Sequence, residues 1–164
     1  MVIISGVKMA TITTWETPQA FFDMLNKEFN FSLDVCALPE TAKCKRFFSP
    51  EQNGLTQDWS NDTCWMNPPY GRGQDVYSWV KKAYETALYF GGTVVCLLPA
   101  SVDTKWFHEF CLKAWEIRIV RDRLWFSLEG GKPQRANHGS FVVVFRTGSI
   151  GMPKLTTLPN CWKL

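Results

Sequence analysis

Residues 64–71 read Cys64-Trp65-Met66-Asn67-Pro68-Pro69-Tyr70-Gly71, an apolar run passing straight into an amide, two prolines, an aromatic ring and a glycine. Proline has no amide hydrogen, so two in succession cannot continue a central strand, and the chain must leave the sheet there. The residue before a proline is pushed towards extended geometry, which sets Asn67 stiffly at the carboxyl end of a strand over Thr63 to Met66. Ligands of open α/β sheets bind at that edge. Taken alone, the stretch also reads as a rigid turn carrying a surface tyrosine.

The chemistry open to such a loop is specific. An exocyclic amine of a nucleobase is a poor nucleophile because its lone pair is delocalised into the ring. If the Asn67 side-chain oxygen and the Pro68 carbonyl each accept one of its hydrogens, the nitrogen is held nearer tetrahedral and the lone pair is freed. Tyr70 can then stack on the face of an extruded base.

Working outward, Gly71 and Gly73 precede a helix from about Asp75 to Phe90, where Val76, Val80, Ala83 and Ala87 share one face, and Gly91-Gly92 ends it. Thr93 to Leu98 is an apolar run between glycine and proline, as in a strand covered on both faces. Upstream, Phe21, Phe22, Leu25 and Phe29 recur at helical spacing behind Thr17-Pro18, which predicts Thr17 as N-cap. Phe31 to Ala37 predicts a buried strand with Asp34 near its end, where a carboxylate needs partners: it either grips a ligand or serves a structural hydrogen-bonding role. Cys44 to Ser49 reads as a further strand, and Pro50 to Asp58 as loop.

Downstream, Asp103 or Thr104 caps a helix burying Trp106, Phe107, Phe110 and Ala114. Glu116 to Val120 is a strand, with Leu124 to Phe126 its continuation or neighbour. Residues 127–138 form a mobile polar loop, and Ser140 to Phe145 is the last strand. Strands alternating with helices predict an α/β fold with a mostly parallel sheet. The two closing strands lack a long intervening helix, so a terminal antiparallel hairpin is expected. Residues 1–14 carry no assignable element, residues 15–146 form one domain, and residues 147–164 read as an irregular tail.

A chain of 164 residues is long enough for one full core and short for two. Its hydrophobic fraction of 46% and charged fraction of 20% are ordinary for a globular protein. Net charge is +3, which permits a nucleic-acid partner without arguing for one. Six cysteines without a Cys-x-x-Cys pair, and only two histidines, argue against a zinc site or other metal. Cysteines inside apolar runs fit a reducing cytoplasm. No stretch approaches the roughly 18 apolar residues of a membrane span, so a cytoplasmic protein is expected. Nothing in the sequence speaks to oligomeric state.

Several features coincide in order: Trp15-Glu16-Thr17-Pro18, Leu33-Asp34-Val35-Cys36-Ala37, Gly54-Leu55 with Trp59, Trp65-x-Asn67-Pro68-Pro69-Tyr70, Leu97-Leu98-Pro99-Ala100 and Arg123-Leu124-x-Phe126. Over residues 15 to 146 the chain resembles the phage-type DNA N6-adenine methyltransferases. The resemblance implies a Rossmann-like methyltransferase fold, S-adenosylmethionine as methyl donor and DNA as partner. It implies catalytic roles for Asn67, Pro68, Pro69 and Tyr70. For the donor it implies Trp15, Thr17 and Pro18 at the methionine end, Asp34 and Ala37 at the first strand, and Asp58 with Trp59 on the donor's adenine. Arg121, Arg123, Lys132 and Arg135 become candidate DNA contacts beside a plainer reading as solvated surface. The glycine-rich loop that follows the first strand in many methyltransferases is absent. A protein glutamine methyltransferase, a cytosine amino-methyltransferase and an inactive DNA- or cofactor-binding protein of the same fold remain alternatives.

Overall fold

The apolar runs bounded by glycine and proline lie in the middle of a sheet, as their lack of polar alternation requires. In this computed structural model, which describes residues 16–70, 75–127 and 132–159, the strands are β1 Leu33–Asp34, β2 Arg46–Phe47, β3 Thr63–Met66, β4 Thr93–Pro99, β5 Glu116–Val120, β6 Trp125–Phe126, β7 Gln134–Arg135, β8 Ser140–Phe145 and β9 Lys154–Leu158. The helices are α1 Gln19–Phe29, α2 Val76–Phe90 and α3 Lys105–Glu109. Seven strands form one mixed, mostly parallel sheet in the order β2-β1-β3-β4-β8-β5-β9, and β6 pairs with β7 in a separate antiparallel hairpin.

Side chains alternate between the two faces of this sheet. Cys64, Met66, Val94, Cys96, Leu98, Val143 and Phe145 pack under α2 and α3. Trp65, Val95, Leu97, Val142 and Val144 meet Phe21, Phe22 and Leu25 of α1. Asp75 caps α2 by accepting from Ser78 N at 3.0 Å, and Gly91 ends it at φ 76°.

Three expectations are corrected. The antiparallel strand is internal, because β8 inserts between β4 and β5 and runs against both. Its six residues are all buried, and a strand covered on both faces gains more from the centre than from an edge. The tail contains β9, which pairs parallel with β5 and closes the sheet; its largely exposed residues carry no apolar run. Leu124 to Phe126 neither continues β5 nor joins the sheet, since Asp122 at φ 64° breaks the chain direction before β6.

Candidate active site

A cavity of about 340 Å³ opens where β1 and β3 end. Asp34 and Ala37 reach it from β1 and the turn after it, Asn67, Pro68, Pro69 and Tyr70 from the loop after β3, and Thr17 from the segment before α1. Trp15 lies outside the described residues. Pro18, Asp58 and Trp59 are not on its wall. Pro18 starts α1 through its carbonyl, which accepts from Phe21 N and Phe22 N. Asp58 is exposed and accepts from Ser60 N at 2.9 Å. Trp59 is buried behind the wall, donating from Nε1 to Gly54 O at 2.9 Å and stacking on Trp79, so it supports two residues that line the cavity.

Asp34 is 3% exposed and is held by backbone donors, Lys43 N to Oδ2 at 3.0 Å and Cys36 N to Oδ1 at 3.3 Å. Burial pushes its carboxyl up to about 6, against these two hydrogen bonds and the Lys43 charge, which pull it down. A carboxylate set this way gains from a cationic ligand more than a solvated one does. Lys43 was not marked by the sequence. Its side chain is only 4% exposed, and Nζ bonds both Glu16 Oε1 and Gln19 Oε1 at 3.0 Å.

Where a glycine-rich loop was absent from the sequence, one glycine allows close approach. A Cβ on Gly54 would run into the Val35 carbonyl oxygen and crowd the Trp79 ring. The Asn53-Gly54 turn, with Asn53 at φ 51°, was the available signal.

Asn67 donates from Nδ2 to Thr17 Oγ1 at 3.1 Å, and its Oδ1 is buried. Tyr70 donates its hydroxyl to the Leu97 carbonyl and meets His138 edge-on at 6.4 Å between ring centroids. The β6–β7 hairpin stands next to this rim. Glu16 N donates to Ser127 O at 2.9 Å, tying the residue that follows β6 to a residue of the cavity wall. Leu124 and Phe126 anchor the hairpin in the core, whereas Trp125 pairs across it with Arg135 and is 50% exposed. Arg121, Arg123, Lys132 and Arg135 are all exposed on or beside it. Among the described residues no cluster of histidine, cysteine, aspartate or glutamate is disposed to hold a metal, and no helix is long and apolar enough to cross a membrane.

Comparison with known proteins is decisive on kinship. Residues 5–158 match the DNA N-6-adenine-methyltransferase (Dam) family. The chain belongs to that family. A relative from Haemophilus phage HP1, named DNA N-6-adenine-methyltransferase, is 35% identical over 150 residues, covering 88% of this chain and 85% of the relative. A protein of the same name from Escherichia phage T1 is 33% identical over 130 residues, covering 78% of this chain and 53% of the relative, so the chain spans about half of that longer protein. In this Dam-family chain the conspicuous cavity and the Asn-Pro-Pro-Tyr loop therefore coincide.

Proposed function

We propose that this chain transfers a methyl group from S-adenosylmethionine to the exocyclic amine of adenine in DNA, on a Rossmann-like methyltransferase fold. The observation that carries the reading is the meeting of Asn67, Tyr70 and Asp34 around one cavity in a Dam-family chain.

The cavity suits the donor in size and in the division of its wall. Its volume of about 340 Å³ falls within the roughly 300–1,000 Å³ of small-molecule sites. Glu16, Asp34 and Lys43 give it a charged end, and Phe48, Leu55 and Trp79 an apolar side. Asp34 would take an α-ammonium, Lys43 an α-carboxylate, and Ala37 with the apolar side an adenosine. Bound S-adenosylmethionine supplies a methyl group on a sulfonium, which is already a strong electrophile. The chain's part is then alignment of the two reacting atoms.

Asn67 Oδ1 and the Pro68 carbonyl accept the two amine hydrogens and hold the base with its nitrogen towards the donor. Neither is a strong base, so the proton released after transfer passes to water. Tyr70 packs on the base, which must leave the duplex to reach the loop. Exposed Arg121, Arg123, Lys132 and Arg135 would position the DNA through its phosphates, with Trp125 offering a stacking surface beside them.

The test is incubation with labelled donor and varied DNA, followed by identification of the modified base. Methyl transfer to adenine is expected, with Asn67→Ala lowering turnover by about 10²–10³-fold, the scale of losing one polarising group, while donor binding persists. Donor binding without transfer to any DNA would favour a binding role for the fold. Full turnover in Asn67→Ala would remove that residue from the chemistry.

A further inference from the structure

Pro68 stands where the β3–β4 ladder has one more bond to make. In a parallel ladder the N–H and C=O of one residue point to the same side, and successive residues alternate. The Trp65 carbonyl accepts from Val35 N at 3.1 Å, so Trp65 faces β1 and Met66 faces β4. Met66 lies opposite Cys96, and a residue so placed bonds the two neighbours of its register partner, here Val95 and Leu97. Two residues on, the donor due to the Leu97 carbonyl falls on residue 68, a proline with no amide hydrogen.

That carbonyl needs a donor, because Leu97 is 1% exposed and β4 runs through the middle of the sheet. The Tyr70 hydroxyl, two residues past Pro68, donates to it. A carbonyl oxygen only accepts, so the direction of this bond is fixed. The phenol thus supplies the hydrogen that proline withholds. The loop that the prolines turn out of the sheet is fastened back to β4 at its far end.

The bond also governs the ring. The hydroxyl lies on the ring's long axis, so holding it fixes where the axis points, while rotation about the axis leaves the bond intact. The plane is then set by packing, where His138 meets the ring at an interplanar angle of 87°. A ring held in one place before the base arrives spares the cost of ordering it on binding.

We propose that the Tyr70 hydroxyl is a positioning group, the stand-in for the missing Pro68 amide hydrogen, which holds the ring and the loop from Asn67 to Tyr70 in place for the target base. The proposal rests on the adenine-methylating reading given above. It adds a reason for tyrosine over phenylalanine, since stacking alone asks only for the ring.

Tyr70→Phe keeps the ring and removes the donor, and Pro68→Ala returns an amide hydrogen to position 68. The experiment measures kcat/KM for DNA, equilibrium S-adenosylmethionine binding and thermal melting in Tyr70→Phe, Pro68→Ala and the double variant. Tyr70→Phe should lower kcat/KM for DNA about 5- to 50-fold, as for a buried acceptor left without its donor, with donor affinity within about threefold. It should also lower the melting temperature by about 2–4 °C. In the Pro68→Ala background the same change should cost less than about threefold in kcat/KM and less than about 1 °C in melting, because the amide takes over the carbonyl.

Undiminished kcat/KM in Tyr70→Phe overturns the positioning role, and so does a loss carried by donor affinity. Equal losses in both backgrounds overturn it as well, since the hydroxyl would then act on something other than Leu97. Should Pro68→Ala itself be inactive, the melting cycle decides the bond and the kcat/KM of Tyr70→Phe decides its role. Failure of the underlying reading looks different, since Asn67→Ala would then keep its turnover while the melting cycle stood unaltered.

Discussion

Two buried carboxylates stand on one row of the sheet. Asp34 pairs with Trp65, Trp65 with Val95, Val95 with Val144, and Val144 with Glu116, so acid side chains flank the apolar middle of the row on the face that α1 covers, one strand in from each edge of the sheet. They are 3% and 7% exposed. Four strand spacings, about 19 Å in all, separate them, too far for either to bond the other.

Their surroundings differ. Burial drives the Glu116 carboxyl up, but hydrogen bonds from Thr156 and Arg118, with the Arg118 charge, more than offset it and leave it below its usual range. Arg118 also forks onto Glu28 at the end of α1, with both bonds at 2.6 Å. Among the described residues Asp34 has only backbone donors, with a cavity beside it, and its carboxyl is held up at about 6. A buried acid satisfied by a side-chain cation fastens the fold. One left short of positive charge beside an opening is poised for a ligand.

The sharpest way to break this contrast is to neutralise each acid in turn. Asp34→Asn should weaken S-adenosylmethionine about 100-fold, the upper range for a lost charge-assisted hydrogen bond, in an equilibrium binding measurement, with little loss of thermal stability. Equal affinity in variant and parent would return Asp34 to a structural role.

The next effect is on pH. The folded Asp34 carboxyl sits near 6 against an ordinary 3.8, so between these values the folded chain keeps a proton that the unfolded chain has lost. The stability linked to that proton is full below about pH 4 and is lost as the pH rises through about 6. Donor binding runs the other way, because an α-ammonium needs the ionised acid. Affinity should rise up to about tenfold per pH unit below pH 6 and level off above it, and Asp34→Asn should flatten that slope.

Glu116→Gln should do the reverse of Asp34→Asn. Melting should report a loss of about 1–2 kcal/mol, as for a polar group deprived of its charged partner, with donor affinity unchanged. A donor defect here would mean that the two acids of the row are coupled. The smallest effect is expected off the row altogether: Trp125→Ala should raise the KM for DNA about fivefold, at the low end of base–aromatic stacking, and leave both carboxylate readouts alone.

How much of this was legible depended on which interactions were local. β3, β4, α2 and β5 are announced by apolar runs and their glycine, proline and capping boundaries, and they appear within a residue or so of where the sequence puts them. The place of β8 was not legible, because Ser140 to Phe145 reads as the same buried run whether its neighbours are β4 and β5 or solvent. β9 was missed because Lys-Leu-Thr-Thr-Leu at an edge is mostly exposed and needs no apolar pattern. The same divide runs through the site. Asn67 and Tyr70 announce themselves through two prolines, but Lys43 looks like any lysine in a polar turn until the fold leaves its side chain 4% exposed. Thr17 looked like a cap because capping is local, whereas its partner lies on a strand end that only the finished sheet brings near. Trp59 resembled a ligand platform, and the structure puts its ring behind the wall.

The bridge between Glu16 and Ser127 has a consequence for the order in which the molecule comes together. Residues that distant meet only after the intervening chain has folded, because closing so large a loop gains little until the strands between have paired. The bridge is also slight, two backbone bonds at the margin of the core. Faster amide exchange is therefore expected at Glu16 and Ser127 than in the paired β4 and β8. The cavity wall at Glu16 and the folded core are therefore separable, and the wall is the more easily disturbed.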